Sequence, residues 1–122
     1  MNIAILGIGS NINADENISR MREILSSQVE ILKVSSFVKT APLGIEDQPE
    51  FTNGAIKIQT ELTQDDLNSL LKNIEDLMGR DRSAPNYGPR IIDIDIVVWN
   101  SKVVDDDYYS RDFLKKSVQE II

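Results

Sequence analysis

The stretch Ile91-Ile92-Asp93-Ile94-Asp95-Ile96-Val97-Val98 decides the fold. Its alternation of aliphatic and acidic side chains is the period-2 pattern of a strand with one face on a core. Ile92, Ile94, Ile96 and Val98 then form the apolar face. Asp93 and Asp95 share the opposite face, with Cα atoms roughly 6.6 Å apart at about 3.3 Å per residue. Just upstream, residues 63–79 read as an amphipathic helix. Thr63 with Asp66 marks its start, Leu67, Leu70, Leu71, Ile74, Leu77 and Met78 form its apolar face, and Gly79 stops it. Residues 51–60 and 31–38 read as two further strands, separated by a loop punctuated by Pro42, Gly44 and Pro49. The chain opens with an apolar strand over 2–8 and a helix over 13–27. Asn13 with Glu16 is the expected cap of that helix, and Ala14, Ile18, Met21 and Leu25 are its core stripe. The order β-α-β-β-α-β predicts an α+β fold, a ferredoxin-like βαββαβ sandwich with both helices on one sheet face. A C-terminal helical extension follows, all within one domain over 1–122. Leu114 and Val118 give that extension an apolar stripe, and a homo-oligomer in which a partner subunit covers it is the expectation.

The residues before the acidic strand are Gly79-Arg80-Asp81-Arg82-Ser83-Ala84-Pro85-Asn86-Tyr87-Gly88-Pro89-Arg90. Two carboxylates on one strand face repel each other and favour an oxygen-seeking cation such as Mg²⁺, held by one or two acids plus substrate phosphates. Taken alone, Asp-x-Asp also describes two solvated acids on a half-exposed strand. Arg80, Arg82 and Arg90 shift the balance, because guanidinium groups match phosphate oxygens in bidentate geometry. For Arg80 and Arg82 the competing account is a solvated pair favoured by the helix dipole.

Composition narrows the chemistry. With 122 residues, 13 basic and 20 acidic, the net charge is −7, which argues against a broad nucleic-acid footprint and makes the arginine loop a local anion site. There is no histidine and no cysteine, so imidazole bases, serine-histidine triads, thiolates, disulfides and cysteine zinc sites are excluded. No apolar run reaches a membrane span and no signal-peptide pattern stands at the amino terminus, so a cytoplasmic location is the default expectation. Gly7-Ile8-Gly9-Ser10-Asn11-Ile12 lacks the third glycine of a dinucleotide loop and the Gly-Lys-Ser/Thr of a P-loop. It reads as a turn needing small residues, with the Asn11 amide available to a ligand.

Four segments in order resemble the 6-hydroxymethyl-7,8-dihydropterin pyrophosphokinase family of the folate pathway. They are Gly9-Ser10-Asn11; Ser35-Ser36-Phe37 with Thr40-x-Pro42-Leu43-Gly44-x-x-Asp47-Gln48-Pro49-x-Phe51-x-Asn53; Gly79-Arg80-x-Arg82; and Gly88-Pro89-Arg90-x-Ile92-Asp93-Ile94-Asp95-Ile96. A weaker continuation is Arg111-Asp112-Phe113-Leu114. The resemblance implies transfer of the β,γ-pyrophosphoryl unit of ATP to the pterin hydroxymethyl group with release of AMP, using two Mg²⁺ ions. It implies Asp93 and Asp95 as metal ligands, with Arg80, Arg90 and Asp95 catalytic. Thr40, Pro42, Leu43, Phe51, Asn53 and Phe113 would bind the pterin, and Glu75, Arg82, Tyr87 and Arg111 the nucleotide. Taken singly, Phe51 and Phe113 also suit a core, and Glu75 a solvated helix face.

The pattern departs from the family after Asp95. Where relatives carry a Pro-His segment, the interval to Arg111 is short, has no histidine, and contains Asp105-Asp106-Asp107, the wrong sign for a triphosphate unless it faces solvent. Small-molecule partners are implied, with no nucleic acid and no membrane. A diverged pterin or nucleotide binder without useful turnover, and a ferredoxin-like interaction module, are the competing classes.

Overall fold

The computed structural model describes residues 1–42, 47–80, 83 and 89–122. Its elements are β1 (Asn2–Ser10), α1 (Ala14–Ser26), β2 (Glu30–Val34), β3 (Val38–Thr40), β4 (Phe51–Thr60), α2 (Gln64–Leu77), β5 (Asp93–Trp99), β6 (Lys102–Val103), α3 (Asp107–Ser110) and α4 (Asp112–Ile121). All strand pairs are antiparallel. β1 lies between β4 and β5, β2 and β3 both pair with β4, and β6 extends the other edge.

β1 takes the centre because it is apolar on both faces. Ala4, Leu6 and Ile8 join the core under α1 and α2, while Ile5 joins a second core on the other side of the sheet. Helix α1 buries Ile18, Met21 and Leu25 as its spacing predicts, with Ala14 packed at the margin. Its start differs from expectation. Asn13 adopts a left-handed conformation (φ 43°) and makes no side-chain cap; instead Asn17 Nδ2 donates to the Ile12 carbonyl at 2.6 Å.

Helix α2 begins as read, with Thr63 Oγ1 accepting from the Asp66 amide at 3.1 Å. Leu67, Leu71, Ile74 and Met78 are buried, and Gly79 ends the helix at φ 97°. Leu77, expected on the apolar face, is 67% exposed. At about 100° per residue it lies roughly 80° from the middle of that stripe, so it turns away from the sheet.

The expected strand over 31–38 is divided. Buried Ser35 takes the place of a ladder acceptor, its Oγ receiving the Ala55 amide at 2.8 Å and donating to the Ser36 carbonyl at 2.9 Å. The chain bends there, and pairing resumes on the same neighbour as β3. Val98 also departs from the simple alternation. The β1–β5 register shifts between Ile5 and Leu6, so that Ile5 faces Val98 whereas Leu6 faces Ile96. The bulged strand has an extra residue, and Val97 and Val98 both join the second core. Trp99 then packs against the first.

That second core also contains Leu114, Val118 and Ile121 of α4. The C-terminal stripe is therefore covered by the chain's own sheet, which corrects the expectation that a partner subunit covers it. Glu120 Oε1 fastens the helix by accepting from both the amide and the hydroxyl of Ser36, each at 2.9 Å. β6 and α3 were not foreseen from the sequence. Among the described residues, no helix is long and apolar enough to cross a membrane.

The β5–β6 turn places both Asn100 (φ 47°) and Ser101 (φ 70°) in the left-handed region. Two-residue hairpins with both central residues left-handed favour Asn-Gly. Replacing Ser101 with glycine should stabilise the protein by roughly 0.5–1 kcal/mol, because the left-handed strain of a side chain outweighs glycine's added chain entropy. A rise in the urea midpoint at unchanged slope is the expected result; an unchanged or lower midpoint would contradict this account of the turn.

Candidate active site

Three strand ends meet on the α4 side of the sheet. The registers align Asn53 with Gly9 and Gly9 with Asp93, and in the adjacent row Ala55 with Gly7 and Gly7 with Asp95. Directly opposed residues of antiparallel strands project to the same face. Asn53 and the two acids therefore stand either side of a floor that carries no side chains. A Cβ at Gly9 would lie 2.8 Å from Asn53 Oδ1, so a larger residue there would press on the amide. At Gly7 the space is taken by Val97 and by Leu114 of α4, whose Cγ2 and Cδ1 would lie 3.1 and 3.2 Å from an added Cβ.

Above this floor is a cavity of about 180 Å³. Thr40, Phe51 and Asn53 line one side, Arg90, Asp93 and Asp95 another, and Arg111 and Phe113 of the C-terminal segment close it. The structure thus brings together eight residues that the sequence singled out. Asn53 Nδ2 donates to Thr40 Oγ1, which orients the amide. Pro42 follows half-buried, while Leu43, Arg82 and Tyr87 lie outside the described residues.

The acids are held by two cations. Arg80 Nη1 lies 3.1 Å from Asp93 Oδ1, and Lys72 Nζ lies 3.1 Å from Asp95 Oδ1. Both cations also reach Glu75, at 3.3 Å from Arg80 Nη1 and 3.5 Å from Lys72 Nζ. Burial, and then repulsion from Asp93, push the Asp95 carboxyl up to about 6 despite Lys72. For Lys72, burial opposes the charge, but the carboxylates of Asp95 and Glu75 outweigh it and the ammonium is raised above its ordinary value.

Glu75 is neither solvated nor open to a ligand. Its side chain is 0% exposed, and Oε2 accepts the Ile94 amide at 2.8 Å. Both sequence readings of this residue, a solvated carboxylate and a nucleotide contact, give way to a buried support beneath the acidic strand. The side-chain spacing did not reveal this, because the tertiary partner is a backbone N–H on the outer edge of β5.

Asn11 is likewise structural. It is buried, donates to Gln48 Oε1 at 2.9 Å and the Pro49 carbonyl at 3.1 Å, and accepts the Arg90 amide at 2.8 Å. The Arg90 carbonyl accepts the Asn11 amide in return at 3.1 Å. This side chain pins the residues leading into Phe51 to those leading into Asp93. It is a clamp between loops rather than the ligand contact that the sequence left open.

Lys72 was missed altogether. Its i,i+3 relation to Glu75 was the available signal, meaningful only once α2 is known to run beside β5. The three consecutive acids do not all face solvent. Asp105 and Asp107 line the cavity, and Asp107 Oδ2 lies 3.6 Å from Arg111 Nη2. A second polar groove adjoins, lined by Gln64, Asp65 and Asn68 of α2 with Ile96, Val104 and Asp106, and it shares Asp95 and Asp105 with the first cavity.

The family model described as 7,8-dihydro-6-hydroxymethylpterin-pyrophosphokinase matches residues 5–122. A 2-amino-4-hydroxy-6-hydroxymethyldihydropteridine pyrophosphokinase of Bacillus subtilis is 39% identical over 107 residues, covering 85% of this chain and 64% of the relative. The protein of the same name from Haemophilus influenzae is 32% identical over 129 residues, covering 97% of this chain and 80% of its own length. A folate synthesis bifunctional protein of Arabidopsis thaliana is 32% identical over 105 residues, with 84% of this chain matched to 22% of that protein. The chain thus spans under two thirds of the Bacillus protein's length and a larger share of the Haemophilus one. With the family model matching all but the first four residues, this chain belongs to the 7,8-dihydro-6-hydroxymethylpterin-pyrophosphokinase family.

Proposed function

We propose that this chain transfers the pyrophosphoryl unit of ATP to 6-hydroxymethyl-7,8-dihydropterin in folate biosynthesis. The pterin hydroxyl gives up its proton to solvent and its oxygen bonds to the β-phosphorus, the bond from that phosphorus to the α,β-bridging oxygen breaks, and AMP leaves. The observation that carries this reading is the strand row Asn53, Gly9, Asp93, which sets a heterocycle-reading amide across a bare floor from a carboxylate pair.

The bare floor lets a flat ring lie against the backbone. Phe51 and Phe113, both lining the cavity, supply apolar faces for it, and the Asn53 amide, fixed by Thr40, reads its donor and acceptor edge. The adjoining groove carries Asp65, Asp95, Asp105 and Asp106, so it would take the uncharged nucleoside rather than phosphates. Arg90 and Arg111 line the side where phosphate oxygens would lie, and Arg80 stands behind Asp93. Arg80 Nε is buried with no hydrogen-bond partner among the described residues. Arg82, Tyr87 and Leu43 retain the roles that the resemblance implies, and the ferredoxin-like description and a single domain over 1–122 suit the strand order β2-β4-β1-β5. A cytoplasmic location accords with ATP as co-substrate.

The donor set fits Mg²⁺. Asp93 and Asp95 have side chains 41% and 47% exposed and offer only oxygen, and burial together with repulsion from Asp93 raises Asp95. Among the described residues no group of three or more acidic, histidine or cysteine ligands exists, so phosphates and water would complete the coordination of the two expected ions. When bound, the metal neutralises phosphate charge and orients the chain of phosphates. Asp105 and Asp107 beside the phosphate path favour the second reading, a pterin binder with little turnover.

Incubating the protein with ATP, Mg²⁺ and the pterin should yield pterin-dependent AMP. ADP, or no nucleotide product from folded protein, would sink the transferase reading, and the latter would leave the binder. Asn53→Ala should raise the pterin KM by at least about tenfold, as expected for losing a buried hydrogen-bond reader; an unchanged KM would remove Asn53 from the pterin site.

Asp95→Asn should abolish AMP formation while slightly stabilising the metal-free protein at neutral pH. The sign follows from a folded pKa of about 6 above the ordinary 3.8: the folded state holds its proton longer, so stability falls as pH rises through that window. The gain for asparagine should stay under about 1 kcal/mol, since Asp95 is nearly half exposed, and vanish near pH 4. Melting curves in EDTA across pH 4–8 measure it, and a loss of stability at pH 7.5 would refute the assignment of the raised carboxyl.

A further inference from the structure

We propose that Lys72 is a resident counter-ion of the acidic pair. Its ammonium occupies Asp95 in the metal-free protein and competes with an arriving divalent cation for that carboxylate, so Lys72 sets the cation affinity of the site. This rests on the reading of Asp93 and Asp95 as cation ligands.

The two acids are countered differently. Asp93 has Arg80, a planar guanidinium with a side chain only 15% exposed. Asp95 has Lys72, a compact ammonium on a flexible stem with a side chain 34% exposed. Lys72 Nζ is also 3.5 Å from Glu75 Oε2 and 3.3 Å from the Ile94 carbonyl. An ammonium has three donors. When Asp95 turns to a metal, Lys72 keeps the Ile94 carbonyl and remains paired with the buried Glu75 charge. Giving up Asp95 therefore strands no buried ion, and the exchange is cheap. The lysine also keeps the metal-free site intact, since without it Asp95 faces Asp93 and Glu75 with one positive neighbour fewer. A lysine that merely oriented Asp95 would act in the opposite direction, and its loss would weaken cation binding.

The test is a titration of Mn²⁺ alone into nucleotide-free protein, with free Mn²⁺ read by electron paramagnetic resonance. Lys72→Met should bind Mn²⁺ about tenfold more tightly than wild type, the effect of removing one nearby positive charge from a partly screened site. Lys72→Arg should stay near wild type. Lys72→Gln, which keeps a donor for Glu75 and the Ile94 carbonyl, covers the case in which methionine prevents folding and should tighten binding likewise. In EDTA the uncharged variants should melt lower than wild type and recover more on adding Mn²⁺, a reversal that a purely structural lysine would not produce. Equal or weaker Mn²⁺ binding by the uncharged variants, with binding still lost in Asp95→Asn, would overturn the role of Lys72 and leave the metal reading standing. No Asp95-dependent Mn²⁺ binding in wild type or in any Lys72 variant would overturn both.

Discussion

The carboxylate of Glu75 is the interaction on which the site depends. Helix α2 runs beside β5 where β6 no longer reaches, so the outer edge of β5 at Ile94 would present an unpaired amide and carbonyl to a buried region. Glu75 takes the amide and Lys72 the carbonyl, and the helix thereby stands in for a neighbouring strand. The same two side chains and Arg80 then tie the edge to the acids on either side of Ile94. Removing the buried Glu75 carboxylate would strand the Ile94 amide and the little-exposed Arg80, at a cost of roughly 3–5 kcal/mol. A single buried carboxylate thus joins fold stability to the placement of Asp93 and Asp95.

The second constraint is the missing side chains of β1. Gly9 keeps the row between Asn53 and Asp93 open, whereas the neighbouring Gly7 position, also on the cavity floor, is crowded by Val97 and Leu114. One glycine leaves the Asn53 amide undisturbed and the other lets Val97 and α4 approach the sheet. This division explains how α4 can cover half of the second sheet face while Phe113, the residue before Leu114, still reaches the cavity. The bulge at Val97 and Val98 contributes by turning an extra valine toward α4, so the same strand that carries the acids at one end anchors the helix at the other.

Asn11 and Ser10 complete the frame. Ser10 Oγ donates to the Ile91 carbonyl at 2.6 Å, and Asn11 holds the segments entering β4 and β5. Phe51 and Asp93 therefore start their strands from one clamped corner, which makes the two lobes of the site mechanically continuous. The acidic residues near α3 enter the same space from the opposite side, where Asp107 is engaged by Arg111.

Much of the fold was legible without coordinates because period and punctuation are local properties. The strand over 51–60, the Thr63 cap, the Gly79 stop and the core stripe of α1 all follow from side-chain alternation, helical spacing and backbone preference. The acids, the arginines and Asn53 could be grouped because they sit in short motifs. What the sequence left undecided were the features set by distant partners: Ser35 ending a ladder, Val98 changing faces at a bulge, α4 finding cover on its own sheet, and Lys72 and Glu75 capping an open strand edge. The residue types and their local periodicity determined which elements form and which side chains bear charge. Only the tertiary structure decided which charges are buried together and which donors they satisfy, because burial and pairing depend on elements brought together across dozens of residues.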